Sequence, residues 1–427
     1  MSARISDRSA GPVRAMLIHR YFWPDTPPYA VMLRAIASHW ADAGHKVEVL
    51  TSQPSYKPET APAAAPSAEQ LDGFRVRRLR MGPDRGRLPR RLWNTARFTL
   101  SVTLRVLLGP RRELVMCSTV PQVALGWAVS WACRWRGSAF VYHCMDLHPE
   151  IGRLSGEFAH PAIYRLLMRL DQATCRRATV VVVLSDDMRE ALLERDPRLA
   201  PRIVVINNFD LPEYDVGLAA ASTPVNRDET LVTVAFAGNL GRFQGLDTVV
   251  DAALSDRPGL DRLRLILMGE GAAKAGLRHQ VADAPSDRRH RIVILPHGSS
   301  AGARALMRVA DWGLVSLAPE VYRYAYPSKA ATYLSEGLPV LAGVEPVSAI
   351  ARDMESWGIG IHLPLDSPQR AADVLVSLAS RGPVTDELRE QARQVWRREF
   401  AVAGRLARWD ELVGQVIGRD AHAGVPG

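Results

Sequence analysis

The 427-residue chain predicts an α/β protein made of two doubly wound, parallel-sheet domains. Three observations carry that prediction. Short runs rich in β-branched residues alternate with stretches whose apolar residues recur three and four positions apart. The chain is too long for one compact core. The β/α series also stops at 208–228, where Asp-, Pro- and Ser-containing sequence has no helical period, and then starts afresh.

In the first half, strands are expected at 15–22, 46–52, 74–80, 113–118, 139–143, 179–184 and 202–206. Helical patterns separate them, as at 31–42 and 186–194. The stretch 53–69, rich in Pro, Ala and Ser, reads as a surface loop. In the second half, strands are expected at 232–237, 264–268, 291–295, 312–316, 339–342 and 360–363, with a helix at 246–254 after the first. Strand and helix alternating at this spacing imply parallel sheets covered on both faces. The tail 388–417 is helical in pattern. The expected domains are therefore 12–209 and 228–395, with a C-terminal helix at 400–418 packing back on the first.

Hydrophobic residues at 47% and charged residues at 23% place the chain among ordinary globular proteins. Its net charge of +9 suits a polyanionic partner: nucleic acid, an acidic membrane or a phosphorylated substrate. Cys117, Cys133, Cys144 and Cys175 form no CxxC or Cys/His cluster, which argues against a structural zinc or a disulfide framework and suits a reducing cytoplasm. The first fourteen residues lack the apolar core of a signal peptide. Residues 114–133 read as a strand, a turn and a helix, with a transmembrane span as the alternative.

The first strand runs into Tyr21 to Tyr29 without a glycine, and no G-x-x-x-x-G-K-[ST] loop occurs, so nicotinamide, flavin and P-loop chemistries fall away. The second domain is more informative. Its first strand enters 237–245 (AGNLGRFQG), where Gly238, Gly241 and Gly245 let backbone approach a ligand and Arg242 sits at the strand's carboxyl end. A tight turn with a surface arginine is the alternative. Further on, Tyr326-Pro327-Ser328-Lys329 opens a helix whose free N–H groups can meet an anion, with the Lys329 ammonium adding charge. Both features fall at carboxyl ends of strands in one sheet, which favours a phosphate site.

The chain resembles the GT-B glycosyltransferases of family 4, and within them the subgroup of bacterial O-antigen, colanic acid and capsule assembly. The likeness rests on 41–51 (ADAGHKVEVLT), 146–150 (DLHPE), 237–245 and 326–340 (YPSKAATYLSEGLPV), in that order. It implies two Rossmann-like domains facing a cleft and retention of anomeric configuration. It also implies transfer from a nucleoside-diphosphate sugar, UDP- or GDP-linked, to a glycan or a polyprenyl-diphosphate-linked acceptor, with no metal or other cofactor. No D-x-D motif follows a strand where it would hold a divalent cation beside a diphosphate.

Residue by residue, the resemblance expects an arginine and a lysine in the turn after the second domain's first strand. Asn239 and Gln244 stand there, with Arg242 between them supplying the cation. The family's two glutamates, eight positions apart, fall on Tyr324 and Thr332, which become a sugar contact and a ribose contact; Glu320 is near enough in sequence to substitute. Glu270, after the strand at 264–268, falls at a nucleotide contact. Asp146 is expected beside the reacting sugar, and Glu150 at the acceptor or in proton handling, with helix capping as the alternative for each. A nucleotide-sugar 2-epimerase or a non-catalytic partner on the same fold are the competing readings.

Between Asp84 and Arg112 lie eight arginines and a single acid, with Leu92, Ala96, Leu100, Leu104 and Leu108 recurring every fourth residue. Two readings stay open: 85–112 meets an anionic membrane with its apolar stripe, or the stripe is buried in the first domain and the arginines are solvated. Nucleic-acid binding fits less well, because few aromatic residues interleave with the arginines.

Overall fold

The computed structural model describes residues 11–25, 27–55, 65–81, 88–210 and 225–423. The chain forms two compact units, one from residues up to Asn207 together with those from Ala403 on, and one from Asn208 to Val402.

The first unit opens with β1 (Arg14–Ile18), α1 (Pro28–Asp42), β2 (Lys46–Ser52), β3 (Ala68–Leu71) and β4 (Phe74–Leu79). It continues with α2 (Leu88–Leu108), β5 (Leu114–Ser118), α3 (Ala124–Arg136), β6 (Ala139–His143) and α4 (Glu150–Leu154). Then come α5 (Pro161–Arg177), β7 (Val180–Val183), α6 (Asp186–Arg195) and β8 (Ile203–Val205). The sheet order is β3-β4-β2-β1-β5-β6-β7-β8. Its central strands are buried on both faces, as a parallel sheet sandwiched by helices requires.

One expectation for this unit needs correction, and one of two open readings falls away. The stretch 53–69 is not loop throughout: Ala68 and Glu69 begin β3, which pairs antiparallel with β4 through Asp72 and Gly73. Both turn residues have positive φ (46° and 80°), the geometry of a two-residue hairpin that Asp-Gly favours. The rest of the loop, 56–64, lies outside the described residues. The apolar stripe of α2 is also not buried. Leu92, Ala96, Leu100, Leu104 and Leu108 face solvent, while Asn94, Phe98, Val102 and Val106 pack inward. Residues 114–133 form β5 and most of α3, and no helix among the described residues is long and apolar enough to cross a membrane.

The second unit begins β9 (Val232–Ala237), α7 (Leu246–Leu254), β10 (Leu263–Met268), α8 (Lys274–Asp283), α9 (Ser286–Arg289) and β11 (Ile292–Leu295). It goes on through α10 (Ser300–Val309), β12 (Trp312–Ser316), α11 (Lys329–Ser335), β13 (Val340–Gly343) and α12 (Ala349–Ser356). It closes with β14 (Gly360–His362), α13 (Pro368–Arg381) and α14 (Asp386–Glu399). Its six strands are all parallel, in the order β11-β10-β9-β12-β13-β14. Strand order therefore reverses between β9 and β12, where open α/β sheets place their ligand crevice.

The helical tail breaks at Phe400, and its last helix, α15 (Val402–Ala423), belongs to the first unit. There Trp409 is buried edge-on to Trp40 of α1 and to His143 of β6, and Asp410 meets His39 at 2.7 Å.

Candidate active site

In the second unit, β9 and β12 pair only at Trp312↔Val234 and Gly313↔Ala235 and then separate. The phenol of Tyr333 fills the gap: its hydroxyl accepts from the Ala237 amide at 3.3 Å and donates to the Leu314 carbonyl at 3.2 Å. Gly313 makes room for that ring, since a Cβ there would lie 2.5 Å from it. Above the gap the loops after β9 and β12 are tied together. Ser316 Oγ donates to the Gln244 carbonyl, and the Ala318 amide to the Phe243 carbonyl at 2.7 Å.

Lys329 enters this spot from the start of α11. Its Nζ donates to Gln244 Oε1 at 3.1 Å and stands 3.6 Å from the centre of the Phe236 ring. A Cβ on Gly238 would lie 3.6 Å from the same Nζ, so the glycine leaves the ammonium's flank clear. Crowding by protein lowers the Lys329 pKa to about 7. The nearest partners are a neutral amide and a ring face, and neither carries the full negative charge an ammonium would match.

The adjoining loop after β10 comes as close as backbone allows. A Cβ on Gly269 would fall 1.8 Å from the Gly238 carbonyl, and the Leu240 amide donates to the Glu270 carbonyl at 2.8 Å. Gly238, Gln244 and Lys329 are thus gathered at one point. Asn239 is exposed and lies across Gly241 and Gly271, and Arg242 is exposed at the head of a one-turn 3-10 helix, Arg242–Gln244. Gly245, with φ +56°, takes the left-handed conformation that starts α7.

Other predicted residues are engaged differently. Glu270 is exposed and pairs with Lys274, which holds its carboxyl below the ordinary range. Tyr326 is buried, and Pro327 and Ser328 are half-buried where α11 begins. The Thr332 and Ser335 hydroxyls bond to Asp210, which also receives Arg304 at 3.0 Å. Tyr324 lies half-buried beside Arg323, and Glu320 is exposed with φ +67°.

In the first unit Asp146 follows β6 and keeps an edge open to solvent, while the protein around it raises its pKa to about 6. Glu150 is the first residue of α4, and its buried carboxylate pairs with Arg195. Arg195 also holds Asp171 at 2.8 Å, which accepts from Tyr142 Oη at 2.9 Å. Geometry thus separates the two predicted carboxylates: Asp146 stands near solvent and Glu150 sits inside an ion network.

The same sheet end holds further polar residues, His143 among them as the buried structural residue its strand position suggests. His19 meets Ser118 Oγ at 2.5 Å, and the Tyr29 hydroxyl meets His143 Nδ1 at 3.0 Å. Burial lowers both histidines to about 3, so they are neutral at physiological pH. Buried aromatic and histidine residues on separate elements carry no spacing signal. Phe236 and Tyr333 escaped notice for the same reason, inside apolar runs that read as core.

This gathering of cation, glycines and amide lies where an open α/β sheet takes its ligand, and relatives of known class share the fold around it. Residues 29–208 match the glycosyl transferase 4-like domain. A probable glycosyltransferase, WbjE of Pseudomonas aeruginosa, is 24% identical over 353 residues, covering 78% of this chain and 83% of that protein. Among solved structures, sucrose-phosphate synthase from Thermosynechococcus elongatus aligns with a TM-score of 0.70 at 17% identity, covering 95% of this chain and 99% of that one. Anabaena HepE, solved in complex with UDP-glucose, aligns with a TM-score of 0.63 at 16% identity, covering 94% of this chain and 100% of that one. The chain is a glycosyltransferase with the GT-B fold, and its residues 29–208 carry the glycosyl transferase 4-like domain.

Proposed function

We propose that this glycosyltransferase retains anomeric configuration and moves a sugar from a UDP- or GDP-linked donor to a glycan or polyprenyl-diphosphate-linked acceptor in bacterial surface polysaccharide synthesis. The observation that carries the reading is Lys329, an ammonium held where strand order reverses, beside Gly238 and between the Gln244 amide and the Phe236 ring. A diphosphate would supply the missing charge. HepE, with UDP-glucose bound to the same fold, supports a nucleotide sugar as donor.

In the proposed step the bond from the sugar's anomeric carbon to the β-phosphate oxygen breaks. A bond from the acceptor hydroxyl oxygen forms on the same face, and the acceptor's proton passes to the departing phosphate. Lys329, Arg242 and backbone amides of the glycine turn stabilise the charge growing on that phosphate. This arrangement needs no metal. Asp146 stabilises positive charge at the anomeric carbon, with its carboxylate in the ionised form. Basic segment 85–112 places the enzyme on an anionic membrane, where a lipid-linked acceptor is found; Arg85 and Arg87 lie outside the described residues.

Incubation of radiolabelled UDP- and GDP-sugars with a lipid-linked acceptor fraction tests the reading. Label should enter the lipid phase, with the donor's anomeric configuration kept in the product by NMR. Turnover of the nucleotide sugar to its 2-epimer without acceptor would replace the proposal with an isomerase. An inverted product would remove the front-face mechanism.

A further inference from the structure

Helices α2, α3 and α5 form a surface that the transfer chemistry does not use. α3 packs against α2 on one side and α5 on the other, so the three lie side by side over the first sheet. Among the described residues, twelve large apolar side chains are exposed, and eleven fall between Leu92 and Leu166. In α2, Leu92, Leu100 and Leu104 lie four or eight residues apart, and Leu108 extends the line at 82% exposure. In α3, Trp127, Trp131 and Trp135 recur every fourth residue, and Trp135 is 79% exposed. Ile163 and Leu166 continue the apolar surface on α5.

Charge on these helices has one sign. Arg90, Arg91, Arg97 and Arg105 lie on α2, Arg134 and Arg136 on α3, and Arg165, Arg169, Arg176 and Arg177 on α5. The single acid in the three helices, Asp171, is buried against Arg195. The Arg177 guanidinium stacks on the Trp131 ring at 4.3 Å, joining the cationic and aromatic parts of the surface.

We infer that this three-helix layer is a docking face for an anionic lipid bilayer, with the α3 tryptophans and α2 leucines entering the headgroup boundary and the arginines meeting lipid phosphates. Tryptophan favours that boundary because its ring is apolar and its N–H polar. Basic amphipathic helices bind there by apolar burial and attraction to anionic lipid together. A second copy of the chain suits the face poorly, because a two-fold contact would set arginines against arginines. The inference reaches beyond segment 85–112 by making α3 and α5 part of the contact, and it stands independently of which sugar is moved.

Co-sedimentation of the full chain with vesicles of phosphatidylglycerol and phosphatidylcholine tests it. Binding should be strong at low salt, weak at high salt and weak to pure phosphatidylcholine. Arg97→Gln, Arg105→Gln and Arg134→Gln should each weaken the partition about fivefold. Trp135→Ala, and Leu104→Glu with Leu108→Glu, should weaken it at least as much, with thermal melting and donor binding unchanged because these side chains are exposed. In the unaltered protein, brominated lipid should quench tryptophan fluorescence. Anionic-vesicle binding that ignores the Trp135 and Leu104/Leu108 changes would overturn the inference, as would failure of the unaltered chain to sediment. So would a dimer that Leu104→Glu dissociates, which would assign the face to a second copy.

Discussion

Lys329 differs from an ordinary surface lysine in its neighbours: the Phe236 ring, the Gln244 amide and the hydrogen-only flank of Gly238. Its lowered pKa of about 7 means that the free enzyme loses this positive charge as pH rises through neutrality. A bound diphosphate favours the ammonium, so donor binding takes up a proton near pH 7. The KM for the donor should therefore rise above pH 7, and in Lys329→Ala that rise should vanish. Asp146 shifts the other way. Its pKa of about 6 lies above the ordinary carboxyl value, so the ionised form is lost as pH falls through 6, and kcat should fall with it. Asp146→Asn should lower kcat by about 10²- to 10⁴-fold, the range expected for a catalytic side chain, and abolish that acid limb. A raised carboxyl pKa also means that the folded state prefers the protonated form, so this group's contribution to stability grows as pH drops through 6. At pH 7 the Asn variant should accordingly be more stable by about 1 kcal/mol in denaturant unfolding.

At the scale of elements, the proposed donor site depends on loops brought within backbone contact. Gly269→Ala puts a methyl group 1.8 Å from the Gly238 carbonyl, so the loops after β9 and β10 must part. The variant should fold less stably by about 1–3 kcal/mol and lose donor affinity, both readable from thermal shift with and without nucleotide sugar. The alternation that announces both sheets was plain in the chain, because runs such as Val180–Val183 and Val232–Ala237 are short, mostly apolar and rich in β-branched residues. β3 was not, since Ala68–Leu71 has no β-branched residue and only the Asp72-Gly73 pair betrays it. The outward turn of the α2 leucines was equally hidden. Apolar residues at helical spacing read the same whether they meet a core or a membrane, and here Phe98 and Val102 on the opposite side take the inward position. The glycine turn and Lys329 were legible as features at carboxyl ends of strands, whereas their approach through Gln244 depends on a contact across 85 residues.

Taken whole, the proposed donor site lies within the second unit, while Asp146 and the basic helical layer belong to the first. The last helix returns to that first unit and plugs it with Trp409 against Trp40 and His143. Trp409→Ala should therefore destabilise the first unit by about 3–5 kcal/mol, visible as lost hydrogen-exchange protection in β6 and α1, with nucleotide-sugar binding retained. The central claim is that Lys329 and the turn after β9 hold a donor diphosphate. Calorimetric titration of UDP- and GDP-sugars, and of the corresponding nucleosides, into the native chain and Lys329→Ala tests it most directly. The account predicts a nucleotide sugar that binds roughly 10- to 100-fold more weakly to the variant, as loss of a charged hydrogen bond implies, with nucleoside affinity unchanged. Equal affinity of the two proteins for that nucleotide sugar would contradict it.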